Sequence, residues 1–152
     1  MYPNYHKNVS DFIKNDPLKK ARILRIVQFL SIKKIRKIMH ILPEMTGGVL
    51  THVEELTDYL NKKNNVFAII VFRKSDHEYR VRFGANNNSD ELILREESSD
   101  FKKLICLIET LGINFIHYHH TKDFSKELLN LGITLMIPYA FTFHDYFLIC
   151  GN

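Results

Sequence analysis

The sequence predicts an α/β domain whose sheet is mainly parallel. The prediction depends on the composition, on the alternation of apolar runs with segments of helical spacing, and on the continuity of those runs. The 152 residues are 45% hydrophobic and 25% charged, which is typical of one globular domain and excludes disorder and low complexity. Apolar runs that could form strands alternate along the chain with segments whose apolar residues recur at helical spacing. Strands that are buried on both faces read as continuous apolar runs, so these runs favour a parallel sheet.

The first predicted element is a basic amphipathic helix over residues 17–30, in which Pro17 suits the first turn. Its apolar residues recur at helical spacing at Ile23, Ile26, Val27 and Leu30. Residues 1–40 carry ten lysines and arginines against two acidic residues, so the basic character belongs to this end of the chain. We expect residues 1–35 to form a basic helical arm that packs its apolar stripe on a domain or lies on an anionic membrane surface. The rest of the chain is acidic overall, which argues against nucleic-acid binding.

A strand-loop-helix-strand unit follows the arm and opens the domain proper, residues 36–152. Its parts are an apolar run, a glycine-containing loop, a segment of helical spacing and a second apolar run, at residues 38–42, 47–48, 49–60 and 66–72. This order is typical of a β-loop-α-β unit with two parallel strands.

An inserted β-hairpin and two further αβ units complete the expected sheet. Alternating apolar residues on either side of an Asn- and Gly-rich turn predict the hairpin. An amphipathic segment at 101–111, stopped by Gly112, leads to a third parallel strand at 114–119. Helical spacing over 124–135 and alternation over 139–144 then predict a helix and a fourth parallel strand.

Cysteine usage and hydropathy predict the compartment. Cys106 and Cys150 lie in apolar runs without CxxC spacing, so we interpret them as reduced thiols of a cytoplasmic protein. No apolar run approaches the roughly 18 residues of a membrane-spanning helix, and the N-terminus lacks the apolar core of a signal peptide. We therefore expect a cytoplasmic protein whose only membrane contact would be peripheral, through residues 17–30.

Candidate functional residues fall at the carboxyl ends of the predicted parallel strands, where ligands of open α/β sheets bind. Gly47 and Gly48 precede a helix, and residues without a Cβ let a phosphate approach backbone amides at the positive end of the helix dipole. A tight turn that needs glycine for a positive φ would explain the same pair. His144 ends the fourth strand and would meet a ligand, while Asp145 would cap or pin the following loop.

The third strand ends in His117, His119 and His120, which raise the question of a metal site. Thr121 stands where an HxHxDH zinc-hydrolase pattern would have aspartate, and no further ligand follows at zinc spacing, so we expect no metal here. We interpret His117 as a buried histidine and His120 as a polar residue at the mouth of the crevice.

The helix after the glycine pair carries polar residues that fit more than one role. His52, one turn into that helix, either faces solvent or lines the floor of a cleft. Glu54 and Glu55 diverge by about 100° around the helix axis, so we expect a solvated face rather than a catalytic carboxylate pair. A GxSxG elbow, a GxGxxG fingerprint and a P-loop are all absent from the sequence, which disfavours a serine hydrolase and an ordinary dinucleotide or P-loop site.

The order of these motifs over about residues 36–152 resembles that of the N-terminal Rossmann-like domain of family 4 glycosyltransferases. In that family a Gly-Gly loop opens the first helix before a His-Val-x-x-Leu run, a histidine-ended strand comes later, and a strand ends in Thr-x-His-Asp-Tyr before Cys-Pro. The matching residues here are Gly47, Gly48, His52, Val53, Leu56, His117, His119, Thr142, His144, Asp145, Tyr146 and Cys150. The terminal segment is similar to members that build O-antigen and related bacterial surface polysaccharides, although Gly151 replaces the proline.

The resemblance implies a three-layer domain within a GT-B architecture, in which two Rossmann-like domains face each other across a cleft. It implies a metal-independent, retaining transfer of sugar from a nucleotide sugar to a glycan or lipid-linked acceptor, with no tightly bound cofactor. Gly47 and Gly48 would approach the donor phosphates, and His144 would face the transferred sugar as the catalytic residue. The other cleft-lining residues would be His52, His119, His120 and Asp145.

The resemblance also implies a C-terminal domain, beyond residue 152, that supplies most of the nucleotide contacts. We therefore expect the 152 residues alone to bind nucleotide sugar poorly and to transfer nothing. Two other interpretations stay open: a flavodoxin-like or receiver-like binding module without chemistry of its own, and a small hydrolase. A receiver needs an acidic cluster after its first strand, whereas residues 43–45 offer one carboxylate.

Overall fold

A computed structural model describes residues 17–85, 89–96, 101–142 and 144 of the protein. Its strands are β1 (Arg36–Pro43), β2 (Val66–Ser75), β3 (Glu78–Arg82), β4 (Glu91–Arg95), β5 (Phe115–His119) and β6 (Tyr139–Thr142). Its helices are α1 (Pro17–Ile32), α2 (Gly48–Asn61), α3 (Lys102–Leu111), α4 (Lys126–Leu129) and α5 (Leu131–Thr134). None of these helices is long and apolar enough to cross a membrane.

The strands form one mostly parallel sheet in the order β4-β3-β2-β1-β5-β6. β1 pairs in parallel with β2 and with β5, and β5 pairs in parallel with β6. β3 and β4 extend the β2 edge as antiparallel neighbours. The four predicted parallel strands and the hairpin are therefore confirmed, in a Rossmann-like α/β arrangement with helices on both faces.

The larger hydrophobic core lies on the sheet face covered by α1 and α3. Met39 and Ile41 of β1 and Tyr118 of β5 point into it and are fully buried. The apolar stripe of α1 joins this core, since Ile23 and Leu30 are also buried there. The predicted basic helix thus packs on this domain. Residues 1–16 of the predicted arm lie outside the described residues, and the division of the chain at residue 35 stays a prediction.

Helix α2 covers the β2 side of the opposite face. Its Val53 packs against Leu42, Ile70 and Phe72, which form a smaller apolar cluster. The Asn61 side chain exchanges two hydrogen bonds with the backbone of Ala68, at 2.6 and 3.0 Å, which fixes the end of the helix to β2. These contacts hold the start of α2 above the carboxyl end of β1.

Two ion pairs under α2 differ from the sequence prediction. The side chain of Arg82 on β3 is only 4% exposed, and it donates to Glu54 of α2 at 2.6 Å and to Glu91 of β4 at 3.0 Å. The interpretation of Glu54 as part of a solvated helical face was therefore wrong, because its carboxylate neutralises a buried guanidinium. Helical spacing does not reveal this contact, because Arg82 lies on a strand that is distant from Glu54 in the sequence.

The predicted single helix over 124–135 is two short helices that meet at Asn130. The hydroxyl of Tyr118 donates to the carbonyl of Leu128 at 3.0 Å and accepts from the amide of Gly132 at 3.4 Å, so it intervenes in the helical hydrogen-bond pattern. A Cβ at Gly132 would lie 2.6 Å from the ring of Tyr139. Close packing on two tyrosines thus overrides the helical periodicity.

Candidate functional site

The site candidates meet at the point where the strand order reverses. From β1 the chain proceeds to β2 on one side, whereas β5 and β6 lie on the other side. In open α/β sheets a ligand crevice forms beyond the carboxyl ends of the strands at such a switch point. Gly47 follows β1, His120 follows β5 and His144 follows β6, so the predicted residues do lie at one edge of the sheet.

The amino end of α2 is open towards this crevice. Gly47 has φ 99° and ψ −163°, a conformation that essentially only glycine adopts. A Cβ at Gly47 or Gly48 would meet no atom within 4 Å, and no described side chain caps the helix. The first-turn amides therefore remain available to an anion at the positive end of the helix dipole. The tight turn and the anion site are compatible roles for the same pair.

A histidine cluster lies beside the helix start, on the face of the sheet that α2 covers. The register of β1 and β5 places His40 opposite His117, and strand alternation brings His119 to the same face. We call these three residues the inner histidines. His144 beyond β6 and His52 on α2 complete the cluster, with their ring centroids 5.5 Å apart, and we call them the outer histidines.

A chain of hydrogen bonds runs from the inside of the cluster to its outer edge. His40 Nδ1 lies 3.0 Å from His119 Nε2, and His119 Nδ1 lies 3.2 Å from His144 Nε2. His40 Nε2 is buried and has no partner among the described residues. A proton on that nitrogen would be an unsatisfied buried donor, so His40 donates from Nδ1 and, in turn, His119 donates to His144. This assignment of protons leaves a buried lone pair on His40 Nε2.

Burial keeps the inner histidines neutral. His40 and His119 are 0% exposed, and desolvation, reinforced by the neighbouring imidazoles, lowers the pKa of His40 to about 3 and that of His119 to about 2. Desolvation also lowers the pKa of the half-buried His117, whose Nε2 lies 2.7 Å from the hydroxyl of Thr142. The inner histidines therefore present neutral imidazoles, which have lone pairs for a ligand and no charge to repel one.

The structure places the predicted cleft residues at different depths. His52 is exposed at the mouth, with its ring centroid 6.3 Å from that of His119, so it lies over the cluster while still in contact with solvent. His120 is half-buried directly after β5. His119 is fully buried beneath His144. It hydrogen-bonds the ring of His144 and so supports the floor of the site. Asp145 lies outside the described residues.

Sequence reasoning missed His40, the most deeply buried member of the cluster. It stands in the middle of an apolar strand, where only the parallel register of β1 and β5 reveals its neighbours. The one available signal was a titratable side chain within an otherwise aliphatic run that was expected to be buried on both faces. The hydrogen bond between His117 and Thr142 was likewise not predicted, although the resemblance singled out both residues.

Comparison with known proteins supplies the family. The family model described as Glycosyltransferase Family 4 matches residues 46–149, a span that contains the glycine pair, β5 and β6. No curated protein and no solved structure was found to match the chain. The family match favours glycosyl transfer over the binding-module and hydrolase interpretations. The match covers more than half of the chain, so the chain belongs to Glycosyltransferase Family 4.

Proposed function

We propose that the protein is the acceptor-side domain of a retaining glycosyltransferase of GT-B architecture. It would transfer a sugar from a nucleotide sugar to a growing surface polysaccharide or a lipid-linked acceptor. One observation carries the proposal: the open amino end of α2 and the histidine-bearing ends of β5 and β6 meet at one edge of the sheet, in a chain of this family. The contact of His52 with His144 joins the two parts.

The open helix start suits the leaving group of such a reaction. As the bond between the sugar C1 and the phosphate oxygen breaks, its electron pair passes to the nucleoside diphosphate and negative charge accumulates there. Backbone amides after Gly47, at the positive end of α2, stabilise that charge without a metal ion. The acceptor hydroxyl then bonds to C1 on the face that the phosphate leaves, which retains the anomeric configuration, and its proton passes to the departing phosphate.

His144 is the residue that we place beside the transferred sugar. Because Nε2 of His144 accepts from His119, the N–H of the His144 ring is at Nδ1. An N–H in that position can hydrogen-bond a sugar hydroxyl, and such bonds strengthen as the transition state forms. His119 acts through His144 as a positioning residue, because it fixes which nitrogen holds the proton.

The surroundings of α1 fit a location at the inner face of a bacterial plasma membrane, where lipid-linked acceptors reside. Leu18 and Phe29 are exposed on this helix, at 76% and 51%, beside several lysines and arginines. Basic and apolar side chains together favour an anionic lipid surface. The nucleotide would be held mainly by the second domain that GT-B enzymes possess.

Sugar transfer by the full-length gene product tests this proposal. We expect transfer from a member of a nucleotide-sugar panel, with retention of the anomeric configuration by NMR. His144→Ala should lower kcat by about 100-fold or more, on the scale of a lost catalytic hydrogen-bonding group. His77→Ala is the matched control, because His77 is exposed in the turn between β2 and β3. Inversion of the anomeric centre, or equal kcat for both variants in folded enzyme, would refute the proposed mechanism.

A further inference from the structure

We propose that the inner histidines, His40, His117 and His119, form a binding site for a zinc ion beneath the sugar-transfer crevice. Each ring can offer one nitrogen such that the three nitrogens lie within 4.8 Å of one another. Tetrahedral zinc holds imidazole nitrogens at about 2.0–2.1 Å, which corresponds to about 3.3 Å between two ligands. His40 Nδ1 and His119 Nε2 already lie 3.0 Å apart, so modest ring rotations would close the site.

His40 is the proposed ligand whose second ring nitrogen has no outer partner among the described residues. His40 is 0% exposed, and its Nε2 has no hydrogen-bond partner in the part of the chain that the structure describes. The ion would bind His40 Nδ1, the nitrogen that faces His119 Nε2, so Nε2 would carry the ring proton.

The hydrogen bonds outside the inner histidines are those that metal-bound imidazoles require. A ligating histidine donates its second ring N–H to an acceptor, which fixes the tautomer and the orientation of the ring. Thr142 Oγ1 lies 2.7 Å from His117 Nε2, and His144 Nε2 lies 3.2 Å from His119 Nδ1. Hydrogen bonds to Thr142 and His144 therefore already orient the rings of two of the three proposed ligands, His117 and His119.

The ligand type selects the class of ion. Three neutral imidazoles suit Zn²⁺, Co²⁺, Ni²⁺ or Cu²⁺, whereas Mg²⁺, Ca²⁺ and Mn²⁺ prefer oxygen ligands. The sequence alone favoured no metal because HxH at 117 and 119 lacks a nearby third ligand, and that ligand comes from β1 instead.

The ion has a structural role that is separate from the transfer reaction. It would tie β1 to β5 and, through the hydrogen bond between His117 and Thr142, hold the end of β6 in place. Its binding is measured without any sugar nucleotide, so the result does not depend on the proposed function. Zinc binding by the 152-residue chain without sugar transfer by the full-length gene product would refute the function alone, and the reverse result would refute the metal site alone.

Metal titration of the complete 152-residue chain, freed of metal with a chelator and of any affinity tag, tests the site. We expect one equivalent of Zn²⁺ to bind and Co²⁺ to give the visible absorption of a tetrahedral site, while Mg²⁺ gives no response. His40→Asn keeps a hydrogen-bond donor towards His119 Nε2 but removes the imidazole ligand. His117→Ala removes a half-buried ligand, and Thr142→Val removes only the outer hydroxyl.

The variants give graded expectations. Loss of an outer partner costs about 10–100-fold in metal affinity, so Thr142→Val should weaken zinc binding by that factor. His40→Asn and His117→Ala should each weaken it by more than ~100-fold, and His77→Ala should leave it unchanged. Should His40→Asn fail to fold, His117→Ala decides the question. No saturable zinc binding by the unaltered chain, or undiminished binding by folded His117→Ala, would overturn the proposal.

Discussion

Acidification should destabilise the metal-free protein through its buried histidines. The folded protein holds His40 and His119 neutral down to a pKa of about 3 and about 2, whereas both rings take up a proton near pH 6.5 once the chain unfolds. Between those values the unfolded state binds more protons than the folded state, so stability rises with pH. The contribution of the two rings is complete above pH 6.5 and is lost progressively as the pH falls below it.

The magnitude follows from the separation of the pKa values. Each ring that stays neutral in the folded state lowers the free energy of unfolding by about 1.4 kcal/mol for every pH unit below 6.5. At pH 5 the loss is about 2 kcal/mol per ring and about 4 kcal/mol for the pair. Domains of this size are stable by about 5–15 kcal/mol, so the pair removes a large share of the folding free energy. Neither ring is exposed to solvent, so screening by water does not reduce the effect.

Urea unfolding at pH 8, 7, 6 and 5 in the presence of a chelator measures this loss. His40→Asn removes one of the two titrating rings, so its stability should fall by about 2 kcal/mol less than that of the unaltered chain between pH 8 and pH 5. His77→Asn, at an exposed turn position, is the control and should reproduce the pH dependence of the unaltered chain. Parallel curves for the unaltered chain and His40→Asn over this range would refute the reasoning.

Three substitutions with matched controls test the packing and the helix start, each by urea unfolding at pH 8. Ile23→Ala should cost about 2–4 kcal/mol because the side chain is fully buried, whereas Leu18→Ala on the exposed side of α1 should change stability by less than about 0.5 kcal/mol. Arg82→Met should cost about 2–3 kcal/mol because it leaves Glu54 without the cation that it contacts and Glu91 with Arg80 alone, at 3.9 Å. Arg95→Met breaks an exposed pair with Glu78 and should cost less than about 1 kcal/mol. Gly47→Ala should cost about 1–3 kcal/mol through backbone strain alone, and Gly48→Ala should be neutral or slightly stabilising, because a Cβ has free space at both positions but only Gly47 has a positive φ. Equal costs within any of the three pairs would contradict the structural reason given for it.

The fold was predictable because its main elements agree with local patterns. The β1-loop-α2-β2 unit combines two apolar runs with a helical period, and those signals survive in the folded chain. Gly112, predicted as a stop, ends α3 in the left-handed conformation with φ 64°. The prediction of one helix over 124–135 was wrong because Tyr118, from a neighbouring strand, takes part in the hydrogen bonds of that segment. A tertiary contact of that kind leaves no trace in helical spacing.

The site was predictable only where topology alone determines it. Parallel strands bring their carboxyl ends to one edge, so Gly47, Gly48 and His144 could be assigned there from the sequence. The identity of ring neighbours depends on strand register, which the sequence does not fix for strands buried on both faces. His40 therefore emerged only with the structure, as did the pairing of Arg82 with Glu54.

The histidine cluster and the crevice are physically linked through their shared rings. Helix α2 covers the aliphatic part of one sheet face at Leu42 and Ile70, while the adjacent part at β5 carries imidazoles. The half-buried edge of that polar part is formed by His117 and His144, and His144 accepts directly from a fully buried ring. A metal ion at His119 Nε2 would leave His119 Nδ1–H donating to His144. The buried rings consequently hold in place the same side chain that we place beside the transferred sugar.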